Sequence, residues 1–455
     1  AYYDVQQAYT NKQDHKNALL YADSMAFVRE ASFPVTSSGA NLVNITYTRI
    51  FTNTHDYSKA KFYARKSIAL NKAMFGDSSA ELSRSYSLLG NLYSDEGKFD
   101  SMLYYSRKVL KIRQAIYPKD HLQVAFCLDD IARTYNNMDK GALALPYQKE
   151  VERIYLKNYG PAHSYMAWAY DAEADSYAQM HQFDKAVEYN DRALGLFIPD
   201  VAKDTAAINR TSGIPFDTYI PDYLTSRVVM YTNRAINSRE KADKIKYLKE
   251  AYRVADATDK YMQSYTRHFD SPENVSTAYQ RMYDYYKICA DIAYRLYQLT
   301  GEDKYRNSVL NYAENKRGAF LRSSILNSKA IHFSGVPDVV IKEEAAVRSA
   351  VTAAAGRDVP KSKKESVNKA YQQFLDRLAA RYSNYYRLKY LPYQLNEKEI
   401  QQWLPNDSTA FAEYLFSKER IYILVTTKSK SSVIGLEHKD SVVAQIGNLR
   451  ELLKT

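Results

Sequence analysis

The sequence predicts a mainly α-helical protein: an α-solenoid of stacked helix pairs, then a helical hairpin, then a small β-containing segment towards the C-terminus. Three observations predict it. A 42-residue period runs through the first half of the chain. Apolar residues within each period recur at helical spacing. After Ser408 that spacing gives way to short β-rich runs.

Stepping by 42 gives columns. One reads Tyr9, Phe51, Tyr93, Tyr135, Tyr177, and a second Ala18, Ala60, Met102, Ala144, Ala186. A third is Tyr21, Tyr63, Tyr105, Tyr147, Tyr189, and a fourth Val28, Leu70, Ile112, Ile154, Leu196. Units close at Phe33-Pro34, Phe75-Gly76, Tyr117-Pro118 and Tyr159-Gly160. A fixed period of this length means stacked supersecondary units, none of which can bury its apolar face alone. Residues 82–117 show one unit. Leu82, Tyr86, Leu89, Gly90 and Tyr93 fall on one helix face, and Asp95-Glu96-Gly97-Lys98 makes a turn. Phe99, Met102, Tyr105, Val109 and Ile112 form a second helix, ended by Pro118. Gly90 stands where the two helices approach closely.

Residues 1–198 thus read as five such units, the first incomplete. Residues 199–222, with Pro199, Gly213, Pro215 and Pro221, read as an inserted loop. Helical spacing returns over 223–328 as divergent helix pairs, at Tyr223–Ser238, Lys241–Tyr261, Asn274–Leu299 and Lys304–Leu326. Residues 329–392 read as a linker and an antiparallel hairpin of two polar helices, about Asp338–Ala355 and Lys364–Leu388. In 393–455, Ala410–Phe416, Ile421–Val425 and Ser432–Leu436 are strand candidates and Val442–Leu453 a short helix.

The unit pattern resembles the tetratricopeptide repeat: Gly90, Tyr93, Phe99, Met102; Ala132, Tyr135, Gly141, Ala144; Ala174, Tyr177, Phe183, Ala186. The usual repeat has about 34 residues. The longer period and junctions such as Tyr159-Gly160-Pro161-Ala162-His163 resemble the kinesin-light-chain-like variety. Met102, Gly141 and Thr48 depart from the pattern and imply local repacking. This resemblance implies a right-handed solenoid whose first helices line a concave groove. Further on, Tyr312–Ala319, Phe333–Asp338 and Trp403–Ala410 with Glu413-Tyr414 resemble the junction between such repeats and a CHAT domain. That domain is a caspase-like module found after such repeats in many bacterial proteins, and here it is cut early. Peptidases of that family use a His–Cys dyad. No Cys follows Ser408, and His438 reads as an exposed turn residue.

The composition, with 25% charged and 45% hydrophobic residues, is that of an ordinary soluble chain, and its 43 tyrosines are the outlier. The net charge of +11 is dispersed, so no nucleic-acid partner is expected. No apolar run reaches the ~20 residues of a membrane span. The chain begins without Met and inside a repeat, so the N-terminus is expected to be cut, and the compartment, cytoplasmic or periplasmic, stays open. Cys127 and Cys289 read as small buried residues. P-loop, H-E-x-x-H, C-x-x-C and nucleophile-elbow motifs are lacking. No catalytic residue, cofactor or metal is expected. His121 and His163 share a junction column and read as helix caps. Asp129-Asp130 and Glu343-Glu344, adjacent on helices, read as solvated.

The expected functional surface is the outward face of each first helix: Arg49, Asn53, Asn91, Asp95, Arg133, Asn137, Asp175 and Gln179. Asn53, Asp95, Asn137 and Gln179 form a polar column suited to an extended peptide backbone. Arg49 and Arg133 suit a carboxylate clamp, so an acidic segment is one expected ligand. The leading expectation is a protein-interaction scaffold that binds a protein or peptide and regulates or targets an attached CHAT domain. The rivals are the recognition part of a caspase-like cysteine peptidase with its dyad beyond residue 455, and an adaptor with a degenerate CHAT module. The tyrosine columns are expected to be core. Tyr135→Ala should therefore cost about 3–5 kcal/mol; an unchanged thermal midpoint would refute the core assignment.

Overall fold

In the computed structural model the described residues are 15–32, 38–198, 201, 219–266, 272–313, 335–354, 361–390, 397–417 and 420–437. Tyr9, most of the expected loop 199–222, residues 314–326 of an expected helix, His438 and the expected helix Val442–Leu453 lie outside them. The chain forms two compact units, residues 1–196 and 197–455.

The first unit is a run of helices: α1 (His15–Ser32), α2 (Ser38–Asn53), α3 (Tyr57–Phe75), α4 (Ala80–Asp95), α5 (Phe99–Ile116), α6 (Leu122–Asn137), α7 (Gly141–Tyr159), α8 (Ser164–Gln179) and α9 (Phe183–Gly195). The first helices of the pairs start at 38, 80, 122 and 164 and the second helices at 57, 99, 141 and 183, so each step is 42. The phase of the repeat therefore sets the helix boundaries as well as the packing.

Each pair closes on two aromatic rings. Phe51 stacks on Tyr63 (5.7 Å between centroids), Tyr93 on Tyr105 (5.7 Å) and Tyr135 on Tyr147 (5.9 Å), while Tyr177 lies tilted against Tyr189 (5.1 Å). Small side chains bring the helices together nearby. Ala60, Ala132, Ala144, Ala174 and Ala186 are fully buried, and a Cβ on Gly90 would touch Tyr105 Cβ at 3.4 Å. Tyr135 and Tyr177 are buried, as the columns predict, while Tyr93 is half-buried. Successive pairs are tied through the phenol oxygens. Arg65 on α3 donates to Tyr93 on α4 (3.4 Å), and Arg107 on α5 donates to Tyr135 on α6 (2.7 Å).

The turns repeat too. His55, Gly97, Asp139 and His181, spaced by 42, all have positive φ, from 56° to 72°. The next residue's N–H then reaches the carbonyl five positions back, as in Lys98 to Tyr93 (2.7 Å) and Gln182 to Tyr177 (2.9 Å). This is a Schellman-type helix end, a conformation that glycine adopts without strain. At the other junction, Ser79 caps α4 by accepting from the Leu82 N–H (3.2 Å). His121 and His163 occupy the same column, and their Nδ1 atoms accept from the Gln123 and Tyr165 N–H groups (3.1 and 3.2 Å). Each imidazole stacks on the tyrosine before it, Tyr117 or Tyr159 (4.3 and 4.2 Å). Both histidines are helix caps, as expected.

The second unit contains α10 (Ile220–Asn237), α11 (Lys241–Thr266), α12 (Pro272–Thr300), α13 (303–313), α14 (Asp338–Ala354), α15 (Lys361–Arg381), α16 (Ser383–Tyr390) and α17 (Glu397–Trp403). α10 starts inside the expected loop, because Pro221 sits in its first turn, where a missing N–H costs nothing. The core is again tyrosine-rich. Tyr286 donates to Asp259 (2.7 Å), and the Tyr252 and Ser308 hydroxyls meet at 2.7 Å. Cys127 of the first unit and Cys289 of the second are buried free thiols; burial pushes both upward, Cys127 to about 12.

The long second helix expected in the hairpin breaks at Tyr382, between α15 and α16. A buried charge accompanies the break. Glu343 is exposed, as the sequence predicts, but Glu344 is not solvated. It lies in the hairpin core and accepts from Tyr385 (2.7 Å), Tyr390 and Lys389. Burial opposes its ionisation, but Lys389 and the two phenols outweigh burial and lower its pKa. All three donors sit on α16, so the bend delivers them to the carboxylate together.

Three antiparallel strands, β1 (Phe411–Phe416), β2 (Ile421–Thr426) and β3 (Ser431–Leu436), form a sheet in that order. The sheet packs on α12. Asp291 accepts from Arg420 (3.0 Å) and Tyr422 (2.6 Å), and the Gly435 N–H donates to the Tyr294 hydroxyl (3.1 Å). A Cβ on Gly435 would sit 2.7 Å from the Tyr294 ring, so a larger residue would push the ring off β3.

Gly141 departs from the aromatic seen at Tyr57, Phe99 and Phe183 in its column. A Cβ there would lie 2.6 Å from the Ser176 carbonyl oxygen of the next pair. Gly141→Ala should therefore cost about 1–3 kcal/mol through overpacking, read as a lower urea midpoint. An equal or higher midpoint would show that α8 moves aside freely.

Candidate functional site

The candidate surface is the outward face of α2, α4, α6 and α8. Residues four apart on a helix share a face. Each first helix therefore presents two outward positions, repeated at 42. Arg49, Asn91, Arg133 and Asp175 form one column, and all four are exposed. Asn53, Asp95, Asn137 and Gln179 form the other; the first three are exposed and Gln179 is half-buried.

Arg133 and Gln179 are committed elsewhere. Arg133 pairs within its own helix with Asp129 (3.2 Å) and Asp130 (2.5 Å), and its guanidinium lies over the Trp168 ring at 5.6 Å. It is a neutralised arginine and not an open carboxylate clamp. Gln179 donates to the Asn136 carbonyl (2.9 Å) across the seam between pairs, close to the backbone of Gly141, where a side chain would collide with it. Its amide N–H is used inside the stack.

The solvated reading of Asp129-Asp130 fails for Asp129. That residue is buried, and both of its oxygens face the Trp168 indole N–H (3.2 and 3.3 Å). Adjacent helical positions do point apart, as the sequence implies, but in a stack one of those directions is the next pair. Burial raises the carboxyl pKa of Asp129 and of Asp130, against the pull of Arg133. Desolvation also raises Asp95. Asp175 is accessible to solvent, yet desolvation, and then the like charge of Asp171, raise it well above its ordinary value. Asp171, one turn earlier, accepts from Asn190 (2.9 Å). The neighbouring carboxylate supports that upward direction even for a group that water reaches. Among the described residues, neither Asp95 nor Asp175 has a cation in salt-bridge contact. The face is acidic towards α8, so the expectation of an acidic ligand fits it poorly.

The seam beside this face holds a carboxyl outside the eight expected residues. Glu173 on α8 is fully buried. One oxygen lies 3.4 Å from Lys149 of α7, and the other receives no hydrogen bond. A proton is the partner that second oxygen lacks. Burial first, and Glu152 second, push its pKa up to about 8, against Lys149. The sequence does carry a signal: Glu173 shares its 42-residue column with Tyr47, Leu89 and Ile131, all core residues.

Among the described residues, no group of three His, Cys, Asp or Glu could hold a metal ion, and no helix is long and apolar enough to cross a membrane.

With this geometry in view, the tetratricopeptide repeat family matches the chain over residues 82–123, which take in most of α4, all of α5 and the start of α6. The first unit is a tetratricopeptide-type helical repeat array. Solved structures similar to the chain include the putative kinesin light chain TPR-like repeats of Podosopora anserina, at 13% identity and a TM-score of 0.39, covering 43% of this chain and 92% of that one. BtubC (BKLC) from P. vanneervenii is 16% identical, with a TM-score of 0.39 and coverage of 57% and 93%. The apo form of RapI is 10% identical, with a TM-score of 0.45 and coverage of 69% and 96%. No curated protein sequence matches the chain.

Glu173 makes stability depend on pH. Its ordinary value is 4.5 and its folded value about 8, so between them the folded chain holds a proton that the unfolded chain has lost. That stabilisation is complete below pH 4.5 and is lost progressively as pH rises from there through 8. Glu173→Gln should melt close to wild type at pH 5 and a few degrees above it at pH 8. Parallel curves of melting temperature against pH for the two proteins would show that Glu173 carries none of the dependence.

Proposed function

We propose that the chain is a protein-interaction scaffold and that the outward face of α2, α4, α6 and α8 holds an extended peptide or protein segment. One observation carries this reading. The same two positions of each first helix recur through four consecutive pairs, and seven of the eight residues there are exposed polar or charged groups. Repetition at a fixed pitch suits a ligand whose own groups repeat, which an extended backbone supplies. Asn53, Asn91 and Asn137 can each donate to and accept from a peptide group.

Charge refines the ligand. Asp95 and Asp175 lie on this face, and Arg133, whose guanidinium lies over Trp168 of α8, is already paired with Asp129 and Asp130. A basic side chain placed by Asp175 would offset the repulsion that Asp175 feels from Asp171. In this reading the three strands β1–β3 are the opening of a CHAT-like domain, and the scaffold regulates or targets it. The residue runs from Tyr312 and from Trp403 support that part of the proposal.

Fluorescence anisotropy with extended Lys-rich and Glu-rich peptides of equal length tests it. The Lys-rich peptide should bind more tightly, and more tightly still as pH rises, because ionising Asp175 strengthens the attraction. Asn91→Ala, Asn137→Ala and Asp175→Asn together should weaken binding at least tenfold with the thermal midpoint no lower than wild type. Wild-type affinity in that triple variant would defeat the proposal.

A further inference from the structure

The second helices carry a stripe that the first-helix reading does not use. Leu20 on α1, Phe62 on α3 and Tyr104 on α5 are spaced by 42 and are 59%, 52% and 54% exposed. Large apolar side chains scattered singly on a surface need no explanation. Three at one repeat position are different, because a stack sets equivalent residues of consecutive units side by side.

Charge accompanies the stripe. Lys66 Nζ lies 4.6 Å from the Phe62 ring centroid, and Lys108 Nζ lies 4.6 Å from that of Tyr104. These lysines also sit 42 apart, one turn after their rings. Among the described residues no carboxylate forms a salt bridge with Lys66, Lys108 or Lys111. Lysines elsewhere on α3 do have such partners: Lys59 pairs with Asp56 and Lys61 with Glu96. Beside Tyr104 a recess of about 370 Å³ is lined by Leu103, Arg107, Lys108, Lys111 and a single acid, Asp100. The pattern stops at the next unit, where the two columns hold Pro146 and Glu150, and Glu150 pairs with Arg153.

We propose that this stripe is a second docking surface, for an acidic amphipathic helix of a partner protein. Apolar side chains of the partner cover Leu20, Phe62 and Tyr104, and its carboxylates meet Lys66, Lys108 and Lys111. A helix laid across the stack can turn one apolar face towards the stripe along its length and keep its charged residues beside it. An extended nucleic-acid strand would instead need a longer run of cations than three lysines and an arginine provide.

The test uses the full chain and fluorescence anisotropy. The probe is a labelled helical peptide of about six turns, with Leu along one face among Glu and Ala; the control replaces each Glu by Lys. The acidic peptide should bind at least tenfold more tightly than the control. Lys66→Glu with Lys108→Glu should weaken it at least tenfold, and Phe62→Ser with Tyr104→Ser at least fivefold. Circular dichroism melts check folding, and the charge-reversal pair carries the test if the serine pair unfolds. Asp175→Asn with Asn91→Ala should leave this binding unchanged, which separates it from the first-helix face. Equal affinity for the two peptides, or wild-type affinity in the charge-reversal pair, would overturn the proposal. So would binding to phosphatidylserine vesicles that depends on Lys66 and Lys108 without any binding of the peptide, since the occupant would then be a lipid surface.

Discussion

The ring-on-ring contact between the two helices of each pair is the constraint on which the array rests. Phe51 with Tyr63, Tyr93 with Tyr105, Tyr135 with Tyr147 and Tyr177 with Tyr189 each join two helices that would otherwise be separate amphipathic rods. The rings need room, and small residues beside them, such as Gly90, Ala132 and Ala174, let the backbones close in. A pair formed this way still shows one apolar flank. Only the next pair covers that flank, which is why the array is cooperative between neighbours and why its period tolerates no drift. The tyrosine hydroxyls extend the same contact outward. Through Arg65 and Arg107, the rings of Tyr93 and Tyr135 that close one pair also tie it to the pair before.

Three buried carboxyls show how the stack and the hairpin handle charge inside this frame. Glu344 meets three donors on α16 and is held ionised. Asp129 meets an indole N–H and one arginine; burial raises its pKa against both, and it remains paired with Arg133. Glu173 meets a lysine at 3.4 Å and a second carboxylate, and it prefers its proton. The difference lies in the number and distance of donors, not in burial, which all three share. A buried carboxylate stays charged only when hydrogen bonds replace most of what water supplied. The protonated Glu173 is therefore a local solution to a seam with too few donors.

The eight residues read from the sequence as a binding face divide along the same line. Arg49, Asn53, Asn91, Asp95, Asn137 and Asp175 stand exposed, because helical spacing alone decides which way they point. Arg133 and Gln179 lie on the same face by the same rule, but neighbours claim them. Asp129, Asp130 and Trp168 take the first, and Asn136, beside the gap left by Gly141, takes the second. The sequence shows that Gly141 breaks its column. It does not show that the amide of Gln179, in the next pair, fills the space.

Periodicity and helical spacing settled the phase and limits of the paired helices, the positions of their caps and turns, and the residues that form their cores. These depend on contacts within about one repeat, and a one-dimensional pattern contains them. Which carboxyls are buried, which arginine is neutralised, where the hairpin bends and how the three strands sit on α12 depended on residues distant in the chain. Tyr422 and Asp291, for instance, are 131 positions apart and 2.6 Å from each other. No local pattern records such a meeting, because its energy comes from desolvating both groups together, and that happens only once the chain has closed around them.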